Sequence, residues 1–482
     1  MFAPVLSLHE QAASRPDAAA LISRDATWTF AELHRAVSAV TRRLRELGIE
    51  PRMMVATDLA PATDWIVTLA LFRIATRTVS LTGVSTTSGL MLDALLTSPG
   101  TRRHDAPQVI TIDQLWIEQA VADADEAGES EVATVLYPRA DATCRVIMTS
   151  GTTGAARGVE LSVSAVEHRL AALHNYWTDA RPELNLMTLS TTGGFHTALA
   201  CLLHGSPYIA TELSDERLLR RAADARVEVL AGSPVQVGSL VQLMREQGLT
   251  LPSLREVRTA GAAATPALLA QIAEVLAVPV RGVYGSTEGG GIAMRMVHGE
   301  GDPANVGRPL EGIQLQIVDE HGTPVPDGVS GDVRYRGPGL ASGYVGPDPE
   351  QSFRDGWFYP GDRGSIGAQG TLVLDGRVGE IVNVGGVKVD PAAVDAAVEG
   401  FPGVIDAATF VIEKTPGIPE LGLAVVAHAD CDLRALDQLL RQRLPGKHPT
   451  VFGQVSVIPR NRMGKVERVR LTAEFRRRLN LD

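Results

Sequence analysis

The chain predicts an α/β fold. Residues 1–375 read as a large N-terminal domain of doubly wound sheets completed by a small β-barrel-like section, and residues 376–482 as a small α+β domain joined to it by a hinge. Three observations predict this. From Arg52 to Val283, apolar runs of strand length alternate with segments whose apolar residues recur at helical spacing, the pattern of parallel strands with crossover helices. Beyond Gly301 the texture changes to short alternating strands between Gly/Pro turns. At 482 residues the chain also exceeds what one hydrophobic core serves, so two or more domains are expected.

In order, Leu8–Ala13 predicts an amphipathic helix and Ala19–Ile22 a short strand. Thr29 can cap a helix over Phe30–Leu47, which stops at Gly48. A strand over Met53–Thr57, a helix over Ala60–Ile74 and a strand over Thr78–Leu81 make a βαβ unit, hence a parallel sheet. Residues 82–131, of mixed polarity and ending in an acidic run, read as a solvated loop and helix. Cys144–Met148 is a strand feeding a glycine-rich loop, followed by a helix over Ser162–Trp177. A strand over Leu186–Leu189 leads into a helix through Leu203. Strands near Ser206–Ala210, Val227–Ala231, Glu256–Ala260 and Pro279–Val283 then alternate with helices over Ser214–Ala225, Val235–Glu246 and Thr265–Leu276. Gln314–Val318, Gly331–Arg336 and Thr371–Leu374 form the barrel-like section. The small domain takes a helix over Pro391–Val398, strands near Val404–Ile412 and Leu421–His428, a helix over Leu433–Leu444 and a basic C-terminal helix.

A composition of 45% hydrophobic and 21% charged residues is that of an ordinary soluble globular protein. The formal net charge of −11 argues against a nucleic-acid partner held on a broad basic face. No signal-peptide pattern opens the chain and no run approaches a membrane span, so the expectation is a cytoplasmic protein without a membrane partner, monomeric or homodimeric. Cys144, Cys201 and Cys431 are odd in number and far apart, which fits reduced core thiols. Lysine occurs only at Lys388, Lys414, Lys447 and Lys465; basic positions elsewhere are arginine.

Chemistry concentrates in a few stretches. In Met148–Glu160, Gly151, Gly154 and Gly158 interleave with Thr149, Ser150, Thr152 and Thr153, and Arg157 follows. Glycines allow backbone N–H groups to approach phosphate oxygens closely, so this reads as a phosphate cradle, or else as a Gly/Ser/Thr surface loop. It is not the Walker type, because no Gly-Lys-Ser/Thr follows at the required spacing. In doubly wound sheets ligands bind at the carboxyl ends of strands, which here run into Ser233, Ala260-Gly261 and Tyr284-Gly285-Ser286-Thr287-Glu288. Carboxylate and hydroxyl groups at such an end suit a magnesium ion shared with phosphates.

Thr-Ser-Gly-Thr-Thr-Gly followed by a basic residue and Gly-Val resembles the signature loop of the adenylate-forming superfamily, which includes acyl-CoA synthetases, nonribosomal peptide adenylation domains and beetle luciferases. Four further stretches resemble its motifs in the family's order: Tyr284–Glu288; Trp357-Phe358-Tyr359-Pro360-Gly361-Asp362, with Pro360 where Thr is usual; Asp375–Val389; and Pro459-Arg460-Asn461-Arg462-Met463-Gly464-Lys465. The resemblance implies that the loop, with Arg157, holds ATP phosphates. It makes Glu288 the Mg²⁺ residue, Thr287 a phosphate contact and Tyr284 a surface for adenine. Asp362 and Arg377 would hold the ribose, and Lys465 would stabilise charge during adenylation. Gly379 stands at the hinge pivot, where Asp or Lys is usual; glycine absorbs a large φ/ψ change, while side-chain control of the pivot is lost. Gly385, Gly386 and Lys388 match the glycine turn toward the thiol acceptor.

The acyl pocket is expected among Thr192, His196, Ser233, Ala260, Gly261, Gly285 and Gly291, mostly small residues that leave room for a bulky or aromatic acyl group. His196 either lines that pocket or satisfies a helix end. With Gly193-Gly194 as anchor, the family's usual His position holds Thr191. Amino-acid adenylation domains usually carry an aspartate between residues 190 and 197 to pair with the substrate ammonium, and none stands there, which favours an acid without an α-amine. The implied activity is ATP- and Mg²⁺-dependent formation of an acyl-AMP from a small carboxylic acid, then transfer to a thiol, with coenzyme A as acceptor. The alternatives are a carrier-protein phosphopantetheine or another nucleophile, and more remotely a non-catalytic nucleotide or acyl binder. Arg157 stands where relatives carry lysine, either to grip pyrophosphate with a planar fork or as part of the chain's general use of arginine.

Overall fold

The computed structural model describes residues 2–82, 89–101, 106–126, 137, 139–150, 156–174, 181–210, 216–264, 266–297, 304–346, 348, 351–377, 382–384, 387–389, 391–398, 401–415, 418–429, 431–444, 448–460, 466–479 and 481. The expectations for Gly151, Thr152, Thr153, Gly154, Gly379, Gly385, Gly386 and Lys465 lie outside the described residues.

The N-terminal part is built on two sheets. In the seven-stranded sheet the order is Gly343–Tyr344, Ala156–Ser162, Thr143–Ser150, Arg77–Ser80, Met54–Asp58, Ala94–Thr97, Gln108–Thr111. Its βαβ unit is as the sequence predicts: Met54–Asp58 and Arg77–Ser80 pair in parallel across the helix Pro61–Ile74. That helix is apolar on all sides, with Trp65, Ile66, Leu69, Leu71 and Phe72 all at most 1% exposed, so it is sandwiched within the core. Thr29 caps the helix Phe30–Glu46 in a full capping box with Glu32.

Four strands depart from expectation. Residues 82–131 contribute Ala94–Thr97, a fully buried run parallel to Met54–Asp58, and Gln108–Thr111, both of which the loop reading missed. Four residues are too few to show a period. The segment Ala156–Ser162 is an antiparallel strand against Thr143–Ser150, so Arg157 stands on a strand and the helix begins only at Val163. The strand expected at Leu186–Leu189 lies three residues earlier, at Glu183–Asn185. There Glu183 is buried because Arg258 donates to it at 3.1 Å, a long-range partner that composition does not reveal.

The larger sheet is parallel from Ala19–Ile22 through Tyr208–Ile209, Glu183–Asn185, Val229–Gly232 and Glu256–Ala260 to Val280–Ser286, with Thr27–Thr29 antiparallel at its edge. From Val280–Ser286 onward it is antiparallel, through Gly290–Val297, Asn305–Pro309, Leu372–Arg377, Asp362–Ile366 and Gly331–Arg336. The short strands beyond Gly301 therefore extend this sheet, and no closed barrel forms among the described residues. Ile292, Val333, Tyr335, Phe358 and Leu372 make the core beneath them.

The C-terminal part has its own three-stranded sheet, with Val404–Thr415 antiparallel and Val451–Gln454 parallel to the central Ile418–Ala427. One core joins Phe410, Ile458, Leu471 and Phe475, and another joins Val398, Leu423, Leu436 and Leu440. Cys144 and Cys201 are buried free thiols, while Cys431 is only half-buried. Burial pushes the Cys144 thiol up to about 12. No helix among the described residues is long and apolar enough to cross a membrane.

Candidate active site

The change from parallel to antiparallel pairing at Val280–Ser286 positions the site. Tyr284, Gly285 and Ser286 stay on the strand, and Thr287–Gly289 turn back into Gly290–Val297. The hairpin is tight: a Cβ on Gly285 would stand 2.1 Å from the Gly290 carbonyl oxygen, and Gly285 pairs directly with Gly291. Ser286 stabilises the turn, its Oγ accepting from the Gly289 N–H at 3.0 Å and sharing a 2.8 Å bond with the Tyr335 hydroxyl.

Arg169, on the helix Val163–His174, lies beneath this turn and is 7% exposed. Its Nε donates to the Gly339 carbonyl at 2.7 Å, Nη1 to Thr287 at 3.1 Å and Nη2 to Glu288 at 2.6 Å. Two glycines make way for its stem, since a Cβ on Gly339 or Gly290 would meet it at 2.9 or 3.2 Å. Burial, offset by the charges of Tyr335 and Glu288, brings this guanidinium down to about 10, so it remains a cation at neutral pH. With the two backbone carbonyls fixed, the side chains of Thr287 and Glu288 are held relative to the sheet.

Glu288 in turn accepts from the Tyr344 hydroxyl at 2.7 Å. Burial, then the Glu288 charge, pushes the Tyr344 phenol far up, so it keeps the proton that it donates to Glu288. Arg157 stacks its guanidinium 5.3 Å above the Tyr344 ring and stands 4.0 Å from Asp348 Oδ1. The pairing of Tyr344 with Val159 across the strands Gly343–Tyr344 and Ala156–Ser162 builds this cluster. Arg157, Tyr344 and Glu288 thus form one chain of contacts from the phosphate-loop strand to the metal candidate.

A second cluster joins motifs 78 residues apart. Tyr284 donates to Asp362 Oδ2 at 2.5 Å, and Arg377 Nε donates to Oδ1 at 2.8 Å. Asp362 and Arg377 are cross-strand partners, which explains how two ribose candidates come to stand together. Burial and the Asp362 charge hold the Tyr284 phenol well above its ordinary range. Each carboxylate oxygen of Asp362 keeps a further lone pair for a hydroxyl ligand.

The remaining candidates divide. Thr149 donates to the Arg157 carbonyl at 3.3 Å, a contact within the hairpin, and Ser150 ends its strand. Thr192 opens the helix Thr192–His204, one turn before His196. Ala260 ends its strand and Gly261 follows with φ of 88°. Ser233 is 2% exposed and its Oγ accepts from the Gln236 N–H at 3.3 Å, capping the helix Pro234–Gln247, so the cap uses one of its lone pairs. His196 settles the sequence's two alternatives only in part. Its Nδ1 lies 2.8 Å from the Thr192 carbonyl while Nε2 has no partner among the described residues. Lys388 lies on the short strand Val387–Val389. Arg460, in the last motif, pairs with Asp406 at 2.7 Å and forms an antiparallel bridge to Val466.

Sequence reasoning missed Tyr344, Arg169 and Tyr335. None sits in a stretch of recognisable chemistry. The only signal in the sequence is a buried-type helix position occupied by arginine at Arg169. Among the described residues no group of three or more His, Cys, Asp or Glu side chains that could hold a metal converges.

The profile of the AMP-binding enzyme family matches residues 8–345, and the chain belongs to that family. Three larger curated relatives match only in part, the chain spanning 13%, 13% and 41% of their lengths. Smaller relatives align end to end. A 3-[(3aS,4S,7aS)-7a-methyl-1,5-dioxo-octahydro-1H-inden-4-yl]propanoyl:CoA ligase from Mycobacterium tuberculosis is 28% identical over 95% of this chain and 96% of its own. The medium/long-chain-fatty-acid–[acyl-carrier-protein] ligase FadD10 of Mycobacterium tuberculosis is 27% identical over 96% and 94%. In fold, ATP-bound MatB from Rhodopseudomonas palustris superposes with a TM-score of 0.85 at 23% identity, covering 98% of this chain and 99% of that one.

Proposed function

We propose that the protein joins a carboxylic acid to a thiol through an acyl-AMP, as a freestanding acyl- or aryl-CoA synthetase. The observation that supports this most is the convergence of two clusters on one strand and its turn: Arg157–Tyr344–Glu288 for phosphates and metal, and Tyr284–Asp362–Arg377 for the ribose. A nucleotide laid along Val280–Ser286 meets both.

In the first half-reaction a carboxylate oxygen attacks the α-phosphorus of ATP, the bond to the β-phosphate oxygen breaks, and pyrophosphate leaves. Magnesium, held by Glu288 and by phosphate oxygens, would neutralise charge on the phosphates. Tyr344 fixes the rotamer of Glu288, Arg169 fixes its backbone, and Arg157 adds a cation on the loop side. Catalysis on this reading is positioning and electrostatics, since the protein forms no covalent bond. Lys465, by its motif, supplies a mobile cation at the α-phosphate. In the second half-reaction a thiol sulfur attacks the acyl carbon and AMP leaves with the bonding pair, while the thiol proton passes to solvent. The division into residues 1–375 and 376–482, with Gly379 as pivot, is the arrangement in which the small domain would turn between the two halves.

The end-to-end alignment with a CoA ligase favours coenzyme A as acceptor. That with a carrier-protein ligase keeps phosphopantetheine on a carrier protein as the second reading. Isotope exchange between pyrophosphate and ATP across aliphatic, aromatic and amino acids tests the first half: exchange is expected with at least one acid lacking an α-amine, and silence across the panel would sink the proposal. Product analysis with coenzyme A against a loaded carrier protein separates the acceptors.

A further inference from the structure

Two polar atoms at the start of the helix Thr192–His204 have no partner. Nε2 of His196 and Oγ1 of Thr192 are both buried without a hydrogen bond among the described residues. His196 is 4% exposed, with its ring edge-on to Phe195. Its Nδ1 faces the Thr192 carbonyl at 2.8 Å, and a carbonyl only accepts, so Nδ1 carries the proton and Nε2 is a bare acceptor. Burial, reinforced by the charges of Arg169 and Arg145, keeps the imidazole neutral down to about 3. The two side chains stand one helical turn apart on one face, with β-carbons roughly 5–6 Å from each other, which is the span a single small group can bridge.

The helix packs against the helix Val163–His174 that carries Arg169, so His196 is a near neighbour of the residue bracing the Thr287–Glu288 turn. Among the described residues no side chain bonds either atom: Arg169 is committed to three carbonyls, and Arg145 gives Nη2 to Leu189 and Nη1 to Thr78, while its Nε is itself without a partner. Beside the helix start, Gly193 leaves a slot taken by the Met187 side chain; a Cβ there would meet its Cε at 2.5 Å. An unbranched thioether swings aside more readily than a β-branched or aromatic plug.

We propose that this pair recognises a hydroxyl group on the acyl part of the substrate, which makes the preferred acid a hydroxy-substituted carboxylic acid. The inference rests on the adenylation reading of the site and adds the substrate class. A hydroxyl donates its proton to His196 Nε2 and accepts one from Thr192 Oγ1, satisfying both atoms at once. A carboxylate has no proton to give and leaves Nε2 bare. An ammonium has no lone pair for Thr192, and it would sit beside the cations Arg169 and Arg145. An alkyl or unsubstituted aryl group satisfies neither atom.

The test uses matched pairs of acids differing by one hydroxyl, among them benzoate against its three hydroxybenzoates, cinnamate against 4-hydroxycinnamate, and hexanoate against 6-hydroxyhexanoate. Two readouts are taken on the full chain: acid binding by titration calorimetry without ATP, and pyrophosphate exchange with it. One hydroxylated acid is expected to exceed its deoxy partner by roughly ten-thousandfold in both, as synthetase sites built around a hydroxyl do. His196→Phe and Thr192→Val, each verified as folded by circular dichroism, are expected to collapse that ratio to below about tenfold. A ratio near one for every pair in the parent overturns the inference, as does a ratio that survives both variants, which would mean that an internal water satisfies the two atoms. If exchange is silent but the binding ratio holds and collapses in the variants, hydroxyl recognition stands and the adenylation reading falls.

Discussion

Replacing Arg169 with methionine keeps most of the stem's volume and removes the guanidinium. Three carbonyls then lose a donor: those of Gly339, Thr287 and Glu288, bonded at 2.7, 3.1 and 2.6 Å. Glu288 keeps the Ala341 N–H at 2.8 Å, so two buried carbonyls are left bare. Each costs about 1–3 kcal/mol, and relief from burying a cation offsets part of the total, so a net loss of about 2–4 kcal/mol is expected. Against a typical total of about 5–15 kcal/mol the variant still folds. Activity should suffer more than stability, because the freed turn carries Thr287 and Glu288; a displacement of about 1 Å costs on the order of a hundredfold in rate. The assay is kcat/KM for ATP by pyrophosphate exchange, beside urea unfolding of the same samples. Arg169→Lys, which donates but cannot fork across three carbonyls, should recover only part of the loss. If Arg169→Met stays within about threefold of the parent while its stability falls as stated, the guanidinium stabilises the fold without positioning the turn.

The Arg157 question has a geometric answer to test. The planar guanidinium stacks on Tyr344, the partner of Glu288, and a lysine cannot reproduce that stack. Arg157→Lys is expected to lower kcat/KM for ATP by about tenfold, roughly 1.4 kcal/mol, and an unchanged value would mean that arginine there reflects composition alone. Among the glycines at the helix start, Gly194→Ala brings a Cβ to 2.1 Å from the Thr188 carbonyl oxygen, which is backbone and cannot yield, whereas Gly193→Ala meets only the flexible Met187. Gly194→Ala should therefore lower the melting temperature clearly more than Gly193→Ala, and equal shifts would contradict the packing. In the buried ion cluster of Glu183, Glu256, Arg258 and Arg281, the two acids titrate in opposite directions. Burial raises Glu183 against the pull of Arg258, while for Glu256 the bonds from Arg281 and Arg258 together outweigh burial and lower it. Glu256, held below its ordinary 4.5, adds stability above that pH and loses it as pH falls through its folded value. Glu183, held above its ordinary value, gains nothing from its charge at neutral pH. Thermal melts at pH 7 should accordingly find Glu256→Gln more damaging than Glu183→Gln, and the reverse order would refute the assignment.

The sequence by itself determined the class of fold and the positions of most helices, and its family resemblance named the candidates for nucleotide chemistry. Helices such as Phe30–Glu46 and Pro234–Gln247 were legible because period, cap and stop are local properties, written within a few residues of each other. Tyr284, Glu288, Asp362 and Arg377 were singled out because the stretches around them resemble family motifs in the family's order. Short strands were not: Ala94–Thr97 and Ala156–Ser162 become strands only through partners elsewhere in the chain. The same holds for Tyr344 and Arg169. Their value comes from pairing across strands and from carbonyls 118, 119 and 170 residues away, and no local pattern encodes such distances. The tertiary structure also decided what each candidate's atoms were free to do. Ser233 gave a lone pair to a helix cap, whereas Thr192 and His196 kept an atom each without a partner among the described residues. Residue type tells which bonds a side chain can make; only packing tells which of them remain to be made.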